Sequence, residues 1–166
     1  MQPAGVKRYE VRHQLFSLSD VYTITDHRGE ALFEASAVPE SAGRCVALRT
    51  TTNLPVAEVR HNALGPRPSY EITRDGVLLL EVREDLYSLS ERRLSASGPA
   101  GEYELRGDWP NWKILVTKDG RRPAEITQDP STLIEHYAVD VAPEADLVIM
   151  LCLVIALHEL TYPSPP

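Results

Sequence analysis

Polar and apolar residues alternate in short runs along most of the chain, and Gly, Pro, Asn and Asp punctuate the runs. Period-2 alternation bounded by turn residues is the pattern of β-strands with one buried face. The pattern predicts strands at Tyr9–Phe16, Val21–Thr25, Ala31–Ala37, Cys45–Thr50, Val56–His61 and Ser69–Thr73. It continues through Val77–Arg83, Arg93–Ser97, Glu102–Arg106, Lys113–Thr117, Pro123–Thr127 and Leu133–Val141, about twelve strands in all. Alternation is cleanest in Glu102–Arg106, where Tyr103 and Leu105 share one face and the charges share the other. Asp75-Gly76 and Asp119-Gly120 each join two β-rich runs, the signature of a tight hairpin whose turn needs positive φ.

One stretch breaks the pattern. Leu147 to Leu157 reads LVIMLCLVIAL, without a charge, an amide, a hydroxyl or a glycine. A helix with no polar side over about three turns is enclosed all round. A membrane span needs roughly 20 apolar residues, whereas a core helix needs 10 to 14, so the run reads as a central core helix and not a tail anchor. Pro143 suits a first helical turn, and Glu144 and Asp146 then sit where the positive end of the helix dipole favours carboxylates. Asp140 stands too far out to cap it, and Pro163 and Pro165 stop anything beyond.

Turns near Gly29, Asn53, Gly76, Gly101 and Gly120 recur every 20 to 25 residues, each between two strands. The chain is therefore a series of hairpins. A closed barrel of about twelve strands is too wide for its own side chains to fill, because roughly eight strands suffice for a self-filled interior. An all-round apolar helix is the object that fills it. The fold expected is a mainly β, closed antiparallel barrel around a central hydrophobic C-terminal helix, forming one domain over 1–166 with its core at about 7–160.

Composition changes little in this picture. With 166 residues, 43% hydrophobic and 25% charged, the chain is of ordinary single-domain make-up. Its net charge of −7 argues against a nucleic-acid partner. Cys45 and Cys152 lie in apolar segments and read as buried thiols, with no disulfide. The start, MQPAGVKRYEV, has no apolar signal-peptide core, so a cytoplasmic location is the default expectation, with no transmembrane segment.

Four stretches then point to a family: YEVRHQLFSLSDVYTITDHRGEALFEASA, PSYEITRDGVLLLEVRED, GEYELRGDW and VDVAPEADLVIMLCLVIAL. In this order, closing on the apolar helix, they resemble the LURP-one-related family, from about Tyr9 to Leu160. That family belongs to the Tubby C-terminal-domain-like group, which also takes in the phospholipid scramblases. The resemblance implies a twelve-stranded barrel around a C-terminal helix, in agreement with the strand count. It also raises phosphoinositide or anionic-lipid binding through basic side chains, as in the Tubby domains. Lipid scrambling is disfavoured, since that branch uses a cysteine-rich stretch and a calcium site, and this chain has two cysteines and no acidic calcium loop.

No catalytic motif rises above background. The five histidines (His13, His27, His61, His136 and His158) have no metal-ligand spacing and read as surface or strand-edge residues. There is no nucleophile elbow, P-loop or dinucleotide fingerprint, and no cofactor is expected. Glu81, Glu84, Glu102 and Glu104 read as solvent faces of strands. Trp109-Pro110-Asn111-Trp112 reads as a bend with indoles closing a barrel end; stacking on a sugar or base is the sharper alternative. Lys7-Arg8, Arg92-Arg93 and Lys118 with Arg121-Arg122 are the small basic clusters. Arg92 and Arg93 are the anionic-ligand candidates, because adjacent strand residues point to opposite faces and one must approach the core or a barrel end. The functional expectation is a non-enzymatic binding module for an anionic phospholipid headgroup. The alternative is a protein-interaction or scaffold domain with no small ligand.

Overall fold

The structure, a computed structural model, describes residues 4–14, 21–39, 43–85, 92–128 and 135–162. Twelve strands and one helix follow one another: β1 (Lys7–Gln14), β2 (Val21–Thr25), β3 (Ala31–Ala37), β4 (Cys45–Thr50), β5 (Pro55–Asn62) and β6 (Ser69–Arg74). Then come β7 (Val77–Glu84), β8 (Leu94–Gly98), β9 (Gly101–Asp108), β10 (Lys113–Lys118), β11 (Arg121–Gln128), β12 (Glu135–Val141) and α1 (Leu147–Thr161). Each strand pairs antiparallel with its sequence neighbours, and β1 pairs with β12, so the sheet closes. An even number of alternating strands lets the first and last meet antiparallel, and closure leaves no edge to protect.

The two ends of this meander differ. Turns at 26–30, 51–54, 75–76, 99–100 and 119–120 all lie at one end, and these are the five turns of the hairpin repeat. Asp75 and Gly76, like Asp119 and Gly120, have positive φ, the backbone that two-residue hairpins with right-handed twist demand. The strand ends that flank 15–20, 38–44, 63–68, 85–93, 109–112 and 129–134 face the other end, and these stretches of sequence are mostly longer. The chain leaves β12 at the short-turn end, so α1 enters there and finishes at the long-loop end. Both mouths are thereby built from different material.

Alternate residues of every strand point inward onto α1. Val11, Ile24, Leu48, Val59, Ile72, Leu80, Val82, Leu105, Ile114, Val116, Ile126 and Val139 are closed to solvent around it. Leu151 through Leu157 are buried on all sides. The helix packs most closely on β5, where the small inward side chain of Ala57 gives it room.

Most strand boundaries differ from the sequence pattern by one or two residues, and two of the differences have a specific cause. The helix begins at Leu147, not at Pro143, and Asp146 is its N-cap, accepting from the Ile149 N–H at 3.2 Å. Residues 142–146 are instead the connection from β12, closed by bonds from Ala142 N to Pro123 O and from Ala145 N to Ala142 O. A short polar side chain directly before the apolar run outcompetes proline as the start signal. Strand β1 begins at Lys7, because Arg8 is held by the β12 ladder and by two bonds to Asp140, at 2.7 and 2.8 Å, and not by burial. Positions 15–16 and 133–134 of the expected strands lie outside the described residues.

Candidate functional site

At the long-loop end, polar side chains reach into the barrel beneath the last turn of α1. Glu159 is 1% exposed, and Tyr22 donates to its Oε1 at 2.6 Å. Arg44 completes the carboxylate, with Nη2 on Oε1 at 2.9 Å and Nε on Oε2 at 3.1 Å. Burial is the main force that raises the Tyr22 phenol far above its ordinary range, with the Glu159 charge beside it. The phenol is therefore the proton donor in this contact.

Next to it stands a second group. His13 on β1 and Glu135 on β12 are cross-strand partners, and His158 comes down from α1. His158 Nε2 lies 2.9 Å from Glu135 Oε2, and His13 Nδ1 lies 3.3 Å from the same oxygen. On its other side His158 Nδ1 meets the Tyr137 hydroxyl at 2.7 Å. Burial, then His13 and the Arg44 guanidinium, push the His158 pKa down to about 3, so its ring is neutral near pH 7. Both histidines are buried, which corrects the surface or strand-edge expectation for them. Sequence spacing could not find this group, because closure of the barrel and the helix bring together residues from three distant elements. The one available signal was inward parity: His13 follows Val11 on the buried face of β1.

The indoles line the same mouth. Trp109 and Trp112 meet edge-on at 6.3 Å, and Trp112 stacks on Tyr162 at 6.2 Å and abuts Tyr137. The bend with indoles closing a barrel end is thus what the fold contains. Arg92 lies over the Trp109 ring at 4.6 Å and binds Glu84 at 2.6 Å, while its carbonyl accepts from the Trp109 indole. Arg93 binds Asp85 at 2.8 Å and approaches Glu104 at 3.7 Å. Both arginines precede β8 and are not side by side on a strand. Carboxylates engage both.

The short-turn end holds a cavity of about 760 Å³ at the start of α1. Arg74, Lys118 and Arg121 bring positive charge to it, Asp119, Glu144 and Asp146 negative, and Leu79, Tyr103 and Ile149 an apolar floor. Asp146 is occupied as the helix cap and lies 3.9 Å from Arg74. Lys118 Nζ sits over the Tyr103 ring at 5.0 Å. Among the described residues no carboxylate comes within ion-pair distance of Lys118 or Arg121. On the same end the hairpin tips expose Leu54, Val77 and Leu78.

Cys45 and Cys152 are unbridged and buried, and no described helix is long and apolar enough to cross a membrane. No curated protein matches the chain. Among solved structures it is similar to an Arabidopsis thaliana protein determined by X-ray crystallography, at a TM-score of 0.68 and 16% identity. The match covers 93% of this chain and 91% of that one. At that identity the likeness is one of fold. The LURP-one-related family model matches residues 7–158, the barrel and all but the end of its helix, and the chain belongs to that family.

Proposed function

We propose that this barrel is a non-enzymatic module that takes the phosphate-bearing headgroup of an anionic phospholipid at its short-turn end. The observation that carries the reading is the cavity at the start of α1, where Lys118 and Arg121 stand without a carboxylate partner among the described residues. The positive end of the helix dipole faces the same space. Leu54, Val77 and Leu78 at the hairpin tips are apolar side chains that enter the headgroup layer while the cations engage phosphates. An overall charge of −7 keeps the rest of the surface off an anionic membrane, which orients the docking. The reading puts the protein on the cytoplasmic side of a membrane, where thiols stay reduced and anionic lipid concentrates. Arg92 and Arg93 form a second cationic pair at the opposite end, and the same assay compares the two.

Flotation of the full chain with phosphatidylcholine vesicles, with and without a phosphoinositide, tests the reading at low ionic strength. Binding is expected only to the doped vesicles. Lys118→Ala with Arg121→Ala weakens it by about 2 kcal/mol, at about 1 kcal/mol per basic side chain near the surface, while Arg92→Ala with Arg93→Ala leaves it unchanged. Absence of flotation at low salt, where screening is weak, overturns the reading. Loss confined to the Arg92/Arg93 variant moves the headgroup to the other mouth.

A further inference from the structure

We propose that His13, Glu135 and His158 form a binding site for a zinc-like divalent cation at the long-loop end. The three donor atoms lie within 4.8 Å of one another. Two of the separations, 2.9 and 3.3 Å, are close to what ligands about 2.0–2.2 Å from one metal ion require. Two imidazoles with one carboxylate are the ligand set that suits zinc and its neighbours, not calcium or magnesium, which take oxygen.

Three features separate this group from an ordinary hydrogen-bonded cluster. First, its members sit on two paired strands and a packed helix, so the donors are held in place before any ion arrives. Second, the Tyr137 hydroxyl, 2.7 Å from His158 Nδ1, is the outer partner that fixes the orientation of a metal-bound imidazole and leaves Nε2 for the ion. Third, the charges are unequal across the cluster. Glu159 has the Arg44 guanidinium, whereas among the described residues no lysine or arginine reaches Glu135, whose near neighbours are the two imidazoles. A cation between those rings supplies the missing charge. Glu135 keeps 23% of its side chain in contact with solvent, which gives the ion a way in. Three protein ligands leave the fourth tetrahedral position for water.

The test uses the untagged full chain, stripped with a chelator and titrated with Zn²⁺ by calorimetry, and with Co²⁺ by absorption. Expected are one ion per chain and a Co²⁺ spectrum of tetrahedral nitrogen and oxygen ligation. Glu135→Gln preserves the hydrogen-bond acceptor toward His158, so the fold survives while affinity falls at least about tenfold. His136→Gln, on the same strand but outside the cluster, leaves affinity unchanged. Should His13→Gln or His158→Gln fail to fold, X-ray absorption on the Zn²⁺-loaded wild type still counts imidazoles, and two are expected. No stoichiometric binding, binding indifferent to Glu135→Gln, or a loaded ion without imidazole ligands overturns the proposal.

Discussion

Tyr22 and Glu159, from the second strand and the last turn of the helix, meet inside the barrel with the phenol donating to Glu159 Oε1 at 2.6 Å. The contact ties the end of α1 to the wall, and Arg44 supplies the balancing charge. A buried carboxylate is tolerated here only because a guanidinium and a hydroxyl satisfy it together. Glu159→Leu leaves that guanidinium and a buried hydroxyl without their acceptor and is expected to cost about 3–5 kcal/mol. Tyr22→Phe removes one bond to a charged group, at about 1.5–3 kcal/mol. Urea unfolding monitored by tryptophan fluorescence reads both, and a neutral Glu159→Leu would mean that the contact is not made.

The helix core makes a blunter forecast. Leu151 is closed to solvent on every side. Leu151→Ala is expected to lose about 2–5 kcal/mol through the cavity it opens. Leu151→Asp buries an unpaired charge and leaves no folded barrel. Circular dichroism and gel filtration decide the second case; a compact, β-rich Leu151→Asp protein is incompatible with a helix inside the sheet.

Gly98, like Gly107, shows where the wall leaves no room for a side chain. A Cβ at this position would lie 2.4 Å from the Leu79 carbonyl oxygen, a backbone atom that cannot swing aside and that already accepts from Ala100 N. Gly98→Ala is therefore expected to destabilise by about 1–3 kcal/mol, the usual cost of overpacking. Gly65→Ala meets nothing closer than 3.5 Å and serves as the comparison, within about 0.5 kcal/mol of wild type. Equal melting temperatures for the two variants would contradict the close approach.

Neither thiol should react in the native protein. Burial, with the Asp146 carboxylate as a lesser cause, pushes the Cys152 thiol up to about 12. Burial and the Glu58 carboxylate raise Cys45 as well. The thiolate is the nucleophile, so raising the pH from about 7 to 9, which ionises an exposed thiol, is expected to leave labelling negligible. In denaturant both cysteines label. Rapid native labelling of Cys152 would place α1 somewhere other than the barrel interior.

How far the sequence could be read depended on whether a feature was local. Asp75-Gly76 and Asp119-Gly120 announce their hairpins because φ > 0 is a requirement of two adjacent residues. Leu147–Leu157 announces its enclosure because it lacks a polar face altogether, and the number of strands then implies what encloses it. The helix starts four residues beyond Pro143 because Pro143 and Asp146 are both acceptable beginnings, and only the bond to Ile149 N separates them. The polar groups at the long-loop end left almost no local trace. His13, Glu135 and His158 stand on a strand, its neighbour across the closure and the helix, and their meeting depends on β1 pairing with β12. Lys118 and Arg121 were visible as part of a basic cluster, but the cavity beside them was not, since Arg74 and Glu144 reach it from other elements. Arg92 and Arg93 stand out in the sequence as a doublet, but no local pattern marks Glu84 and Asp85 as their carboxylate partners.

Because α1 follows all twelve strands in the chain, the order of synthesis runs from wall to filling. Every strand leaves the ribosome before the side chains that will occupy the centre have been made. Pairing of β1 with β12 spans nearly the same length, so neither closure nor packing can begin until most of the chain has emerged. Early hairpins therefore wait with apolar faces bare, a state in which chaperone binding or aggregation competes with folding. A stop codon or frameshift even a dozen codons from the end of the helix leaves this protein with twelve strands and nothing to close around.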